Sequence, residues 1–151
     1  MIPLRIVLHC TDTTDLKSVN IDHIEEDHKA RGFGGIGYHA IIQPDGQLVY
    51  CRGLNEVGAH VAGHNNGSIG VALAGSKKFT GPQFDRFRSF CQDIFLHYPS
   101  VRKWEIYSHA EFDSAIKQGK TCPNIKHKQL LYFVTTGEYS SVIEYRGDLK
   151  K

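Results

Sequence analysis

The chain has 151 residues, 40% of them hydrophobic and 23% charged, with a formal net charge of +2 at pH 7. This length suits one ordinary domain with its own core, and the composition excludes a disordered chain, which combines low hydrophobicity with high net charge. The small net charge gives no reason to expect a nucleic-acid partner, and no apolar run approaches the roughly 20 residues that span a bilayer. The opening segment, Met1 to Cys10, holds too short an apolar core for a secretory leader.

Leu4 to Cys10 alternates, with Leu4, Ile6, Leu8 and Cys10 on one face and Arg5, Val7 and His9 on the other. That period predicts a first strand with its apolar side toward the core and His9 near its far end, on the opposite face. Asn20 suits the cap of a helix running to about Arg31, with Ile21, Ile24 and His28 on one side and Gly32 as the stop. Ile36 to Gln43 and Gln47 to Cys51 read as a hairpin around Pro44-Asp45-Gly46. The run Ile69 to Ala74, flanked by glycines, reads as a buried central strand.

Thr80 and Gln83 form a capping box ahead of a helical stripe of Phe84, Phe87, Cys91, Ile94, Phe95 and Tyr98, which Pro99 ends. Glu105 to Ser108 is a candidate strand delivering His109, and Ile125 to about Thr135 a last helix. Intermixed strands and helices predict an α/β fold, a central mixed β-sheet flanked by helices. Without repeats or a composition break, residues 1–151 form a single domain, its core at about 4–135 and the tail beyond Gly137 left open.

The four cysteines, Cys10, Cys51, Cys91 and Cys122, lie 41, 40 and 31 residues apart with no Cys-x-x-Cys. With no export signal they read as reduced thiols, and Cys10 in particular as a core residue. The glycosylation sequon at Asn66-Gly67-Ser68 carries no meaning without secretion. Two other matches fail on context. Gly32-Phe-Gly34-Gly-Ile-Gly37 fits the dinucleotide fingerprint but follows a helix and precedes a strand, the reverse of what pyrophosphate binding needs. Gly119-Lys120-Thr121 mimics the end of a P-loop, but Ser114 stands where the first glycine is required.

Nine histidines are the remaining oddity. Catalytic zinc takes three protein ligands and keeps a position open for water. The helical pattern His-Glu-x-x-His is absent, and His60 and His64 sit in a glycine- and asparagine-rich loop, so ligands must converge from distant strand ends. His9, His109 and Cys122, which precedes Pro123, are the best-placed candidates. Nine histidines supply many false combinations, however, and a lone histidine is more often a surface or satisfied core residue. His39 reads as core or as support for a site, and His23, His28, His97 and His127 as exposed. Lys150-Lys151 reads as a solvated end.

An ordered set of segments narrows the choice. Val7-Leu-His9-Cys-Thr-Asp, Gly37-Tyr38-His39-Ala-Ile-Ile, the stretch from His60 through Asn65 and Ser68-Ile-Gly-Val to Gly75, Ser108-His109-Ala-Glu111 and Lys120-Thr-Cys122-Pro123 occur in that order. Together they resemble the zinc N-acetylmuramoyl-L-alanine amidases, the family of the T-odd phage lysozymes and the peptidoglycan recognition proteins, from about Leu4 to about Val134. The resemblance implies zinc ligands at His9, His109 and Cys122, a catalytic tyrosine at Tyr38 and a catalytic lysine at Lys120. It also implies a substrate groove lined by His60 and Asn65. A cysteine as third ligand is what separates catalytic recognition proteins from those that only bind, so Cys122 favours catalysis.

The implied activity is zinc-dependent hydrolysis of the amide between N-acetylmuramic acid and L-alanine, in the manner of a phage endolysin. Lys120 would stabilise the oxyanion, and Tyr38 would bind the attacking water or pass a proton to the leaving amine. The implied setting is the host cytoplasm, with access to the wall after the membrane is opened, and the expected state is a monomer. A non-catalytic peptidoglycan-binding module, muropeptide recycling, and a second role in inhibiting phage RNA polymerase are the alternatives. One departure stands out: the stretch from His109 to Lys120 is longer than in the T-odd phage enzymes.

Overall fold

A computed structural model describes residues 1–149; the expected solvated end at Lys150-Lys151 lies outside the described residues. The alternating N-terminal segment becomes β1 (Arg5–Cys10), which pairs in parallel with β4 (Ser68–Leu73) from Arg5↔Ser68 to Cys10↔Leu73. On its other side β1 pairs in parallel with β5 (Ile106–Ser108). Beyond β4 come β2 (Ala40–Ile42), also parallel, and β3 (Leu48–Tyr50), antiparallel to β2. The order β3-β2-β4-β1-β5 is the mixed sheet that the sequence predicts, with the 69–74 run in its middle. Central parallel strands must be covered on both faces, and all six residues of β4 are buried.

One face is covered by α1 (Ile21–Ala30), capped by Asn20, whose side chain accepts from the Asp22 N–H at 2.9 Å. Gly32, at φ +83°, ends that helix in the left-handed region a glycine adopts without strain. Ile21, Ile24 and Val19 pack there against Ile36, Ile41 and Ala72. The opposite face carries the larger core. α2 (Gly81–His97) presents Phe84, Phe87, Phe90, Cys91 and Ile94, and α4 (His127–Thr136) adds Leu130 and Phe133. The capping box at Thr80 and Gln83 forms as expected. Past Gly137 the tail runs through two short 3-10 turns and returns to α2, where the Asp148 carboxylate accepts from the Gly81 N–H at 2.9 Å.

The hairpin is shorter than the sequence suggests. Residues 36–38 leave the sheet to pack on the segment 58–60, where Ala59 N–H donates to Gly37 O at 3.1 Å. A Cβ on Gly37 would lie 2.0 Å from that same Ala59 carbonyl oxygen, so only glycine permits the contact. This close approach holds Tyr38 beside the carboxyl end of β1, the edge at which ligands bind in sheets of this kind.

Gln83 joins helix to sheet. Its buried amide donates to the carbonyls of Ile42 (3.1 Å) and Ala74 (2.9 Å) and accepts from the Thr80 N–H (2.9 Å). Gln83→Leu leaves three backbone groups without that partner and is expected to cost about 3 kcal/mol. Thr80→Ala, which removes the cap and the hydroxyl's bond to the Pro44 carbonyl, should cost less, about 1–2 kcal/mol. Urea unfolding of the two variants checks the ranking.

Candidate active site

A cleft of about 1000 Å³ opens at the carboxyl ends of β1 and β5, and His9, Tyr38, His60, Asn65, His109, Lys120 and Cys122 all line it. All seven residues singled out in the sequence therefore meet in one place.

His9, the penultimate residue of β1, is 3% exposed. Its Nε2 lies 2.8 Å from Nδ1 of His60, whose Nε2 is 3.1 Å from the carbonyl oxygen of Ser68. The Tyr38 ring stands 5.2 Å from that of His9, and its hydroxyl donates to the Cys10 carbonyl at 3.5 Å. The His109 ring lies 4.5 Å from His9.

His109 is positioned by its neighbours in Ser108-His109-Ala-Glu111. One Glu111 carboxylate oxygen accepts from the Ser108 N–H (2.8 Å) and the other from the His127 N–H (2.7 Å), tying the end of β5 to the start of α4. The Ser108 hydroxyl donates to the Ile125 carbonyl, drawing in the segment that carries Cys122. Within the longer stretch between His109 and Lys120 the chain forms a five-residue helix, α3 (Asp113–Lys117). The Lys120 N–H then donates to the Ala115 carbonyl at 2.9 Å, with Gly119 at φ +68° making the turn. The lysine side chain is exposed at the cleft.

Burial dominates the electrostatics. It pushes His9 well below the ordinary imidazole range and His60 down to about 3, and neighbouring imidazoles add to both effects. His109 is lowered by burial and then by the Lys120 ammonium. Burial also raises Tyr38 to about 12, so it is a phenol at neutral pH. Neutral histidines keep a lone pair each, the form a metal ion requires.

The structure corrects several expectations. Cys10 and Cys122 are not isolated from one another: their Cα atoms lie 5.8 Å apart, a separation that a disulfide can span. They are 112 residues apart, and the pairing follows from the fold of 120–125 against the end of β1 rather than from spacing. Cys51 and Cys91 are free, as expected. His28 is buried rather than exposed, its Nδ1 accepting from the Gly37 N–H at 2.8 Å. His127 is half-buried, stacked on Tyr107. His39 is fully buried, as read, with Nδ1 accepting from the Gly70 N–H (2.9 Å) and Nε2 on the Glu56 carbonyl (2.8 Å). His64 is exposed and packs on Phe112. Asn65 lines the cleft, but its side-chain oxygen is committed to the N–H groups of His60 and Val61, both at 2.8 Å. Glu111 escaped the sequence reading, although the Ser-x-x-Glu capping pattern at 108–111 was available to mark it.

Two neutral imidazoles side by side and a cysteine in the same cleft match the donor chemistry of a zinc site with an open position. Among the described residues, no three His, Cys, Asp or Glu side chains stand as a ready-made metal cage, and Cys122 lies against Cys10. The donor set fits the ion with Cys122 as a free thiolate, the form in which cysteine binds zinc.

Paired imidazoles, a phenol and a lysine at the carboxyl ends of parallel strands are the layout of an α/β enzyme site. Comparison with known proteins gives the family: the chain belongs to the N-acetylmuramoyl-L-alanine amidases, which residues 2–125 match. The endolysin of Klebsiella phage KP32 is 33% identical over 102 residues, 62% of this chain and 68% of that one. The endolysin of Enterobacteria phage K11 is 31% identical over 142 residues, 89% of this chain and 87% of that one. Among solved structures, the N-acetylmuramoyl-L-alanine amidase LysC from Clostridium intestinale superposes with a TM-score of 0.70 at 28% identity, covering 80% of this chain and 76% of its own.

The buried histidines make stability depend on pH. His39 has a folded pKa below 6.5, through burial. Above pH 6.5 both folded and unfolded forms are neutral and nothing is lost. Below it the unfolded chain takes up a proton that the folded chain refuses, so stability falls by up to about 1.4 kcal/mol per pH unit for each such histidine. Urea unfolding at pH 7.5, 6 and 5 should show this decline. The decline should be shallower in His39→Asn, whose side-chain oxygen can still accept from Gly70; an identical slope would remove His39 from the account.

Proposed function

We propose that this chain is a zinc-dependent endolysin that hydrolyses the amide between N-acetylmuramic acid and L-alanine in peptidoglycan. The observation that carries the reading is the convergence of His9, Tyr38, His109, Lys120 and Cys122 on one cleft. The endolysin relatives and the family match support it. This reading carries with it synthesis in a host cytoplasm and access to the wall after the membrane is breached.

His9, His109 and Cys122 would hold a zinc ion, which when bound would supply Lewis acidity and a water activated near neutral pH. The chain's own groups do the remainder. Lys120, exposed at the cleft mouth, brings a mobile positive charge to the negative charge that develops on the carbonyl oxygen. Tyr38 is too weak an acid to serve as a phenolate base. It hydrogen-bonds the attacking water, or helps pass that water's proton to the departing L-alanine amine. His9 and His109 stay neutral and so remain ligands rather than proton carriers.

The direct test follows new amino ends of L-alanine, against new reducing ends, in purified peptidoglycan. Amino ends alone are expected from the reduced, zinc-loaded protein. EDTA or Cys122→Ala should lower the rate by more than about 100-fold, since even groups that only support metal ligands matter by 10- to 100-fold. Tyr38→Phe should lower kcat by about 100-fold with zinc content unchanged. Reducing ends would mean a glycosidase, and wall binding without cleavage a recognition module.

A second prediction concerns the thiols. One zinc per chain is expected by mass spectrometry of the protein kept in a phosphine reductant. After oxidation with a small disulfide, zinc should be absent and two thiols lost by titration. Full zinc occupancy in a chain with Cys10 and Cys122 joined would exclude Cys122 as a ligand.

A further inference from the structure

His60 lines the cleft, yet neither of its ring nitrogens is free to meet a ligand there. Nε2 faces the Ser68 carbonyl oxygen at 3.1 Å and Nδ1 faces His9 Nε2 at 2.8 Å. A carbonyl oxygen only accepts, so the proton on His60 sits on Nε2. The lone pair on Nδ1 is then the acceptor for His9, whose proton sits on Nε2. That leaves Nδ1 of His9 bare. Reversing the chain would set the Nε2 lone pair of His60 against the lone pairs of Ser68.

Two further features keep His60 in this orientation. The ring occupies a slot between glycines: a Cβ on Gly70 would lie 2.6 Å from His60 Nδ1, and one on Gly58 2.6 Å from its Cδ2. Its backbone is pinned as well, because the Asn65 side-chain oxygen accepts from the N–H groups of His60 and Val61, both at 2.8 Å. Ring, register and proton direction are thus set together, at a residue that the resemblance marks only as part of the substrate groove.

We propose that His60 is a positioning residue that fixes the tautomer of His9 through a one-way hydrogen-bond chain from His9 to His60 to the Ser68 carbonyl, presenting His9 Nδ1 to the metal. The inference rests on the zinc reading above. Metal-binding histidines ordinarily donate their second N–H to a carboxylate, a backbone carbonyl or water. Here a neutral imidazole takes that place and passes the demand to a backbone carbonyl, orienting the ligand without adding negative charge to the site.

The test begins with the reduced, metal-free chain, labelled with 15N. Long-range proton–nitrogen correlation spectra of the histidine rings should show both His9 and His60 protonated at Nε2 and bare at Nδ1. Observation of His9 protonated at Nδ1 overturns the proposal without need of any variant. Two variants then separate tautomer control from packing. His60→Phe keeps a ring in the slot but offers no acceptor; the His9 signals should average between tautomers, and zinc should bind about 10- to 100-fold more weakly. His60→Asn places an oxygen near the position of Nδ1 and should restore both the His9 tautomer and zinc affinity to within a few-fold of wild type. Unchanged zinc affinity and an unchanged His9 tautomer in His60→Phe would also overturn the proposal. If the wild-type tautomers are as stated but zinc does not bind, the zinc reading fails while the hydrogen-bond chain stands.

Discussion

Because β1 pairs in parallel with β4 on one side and β5 on the other, the carboxyl ends of these strands lie at one edge of the sheet. Residues far apart in the chain are gathered there by backbone hydrogen bonding alone: His9 at the end of β1 and His109 immediately after β5. Parallel neighbours must be joined by crossovers that cover the faces, and α1 and α2 do so while burying the apolar sides of the strands. The same arrangement leaves the loops at the strand ends free to carry chemistry. Tyr38, His60 and Lys120 all arrive on such loops, and each loop is anchored by its own backbone contact.

The polar interior at this edge follows an unusual economy. Every hydrogen-bond partner of the His9, His28, His39 and His60 rings among the described residues is a backbone group or another imidazole. Burying a charge would demand a counter-charge, and none is provided. The rings are therefore held neutral by the same burial that satisfies their nitrogens. The ion pairs of the described structure lie along α1 and its C-terminal cap, where Asp27 and Arg31 face the cleft opening, and between Arg146 and Asp148 in the tail. The cleft keeps Lys120 as an exposed positive charge next to His109.

Much of this was legible because the informative signals are local. Two-residue alternation placed His9 beside the end of β1, a capping box and a stripe of phenylalanines marked α2, and Pro44-Asp45-Gly46 marked the hairpin turn. Intermixed elements pointed to the mixed sheet. Contacts between segments distant in sequence were not legible. The approach of Cys10 to Cys122 arises because the 120–125 segment folds back onto the end of β1. His28 looked like a solvated helix residue because its partner, the Gly37 N–H, belongs to a loop whose path depends on the approach of Gly37 to Ala59. The two-sided commitment of His60 likewise needs three segments to be in place.

The division of labour between the sheet and α1 has an evolutionary consequence. The floor of the cleft belongs to the sheet, where a changed side chain disturbs the core. One wall is α1, which carries its own cap at Asn20 and buries few large side chains, and whose Asn20, His23, Asp27 and Arg31 line the opening. Exposed positions of that kind tolerate substitution far better than the elements beneath them. Diversification of what the cleft admits can therefore run through this one helix, while the reacting edge of the sheet is inherited unchanged.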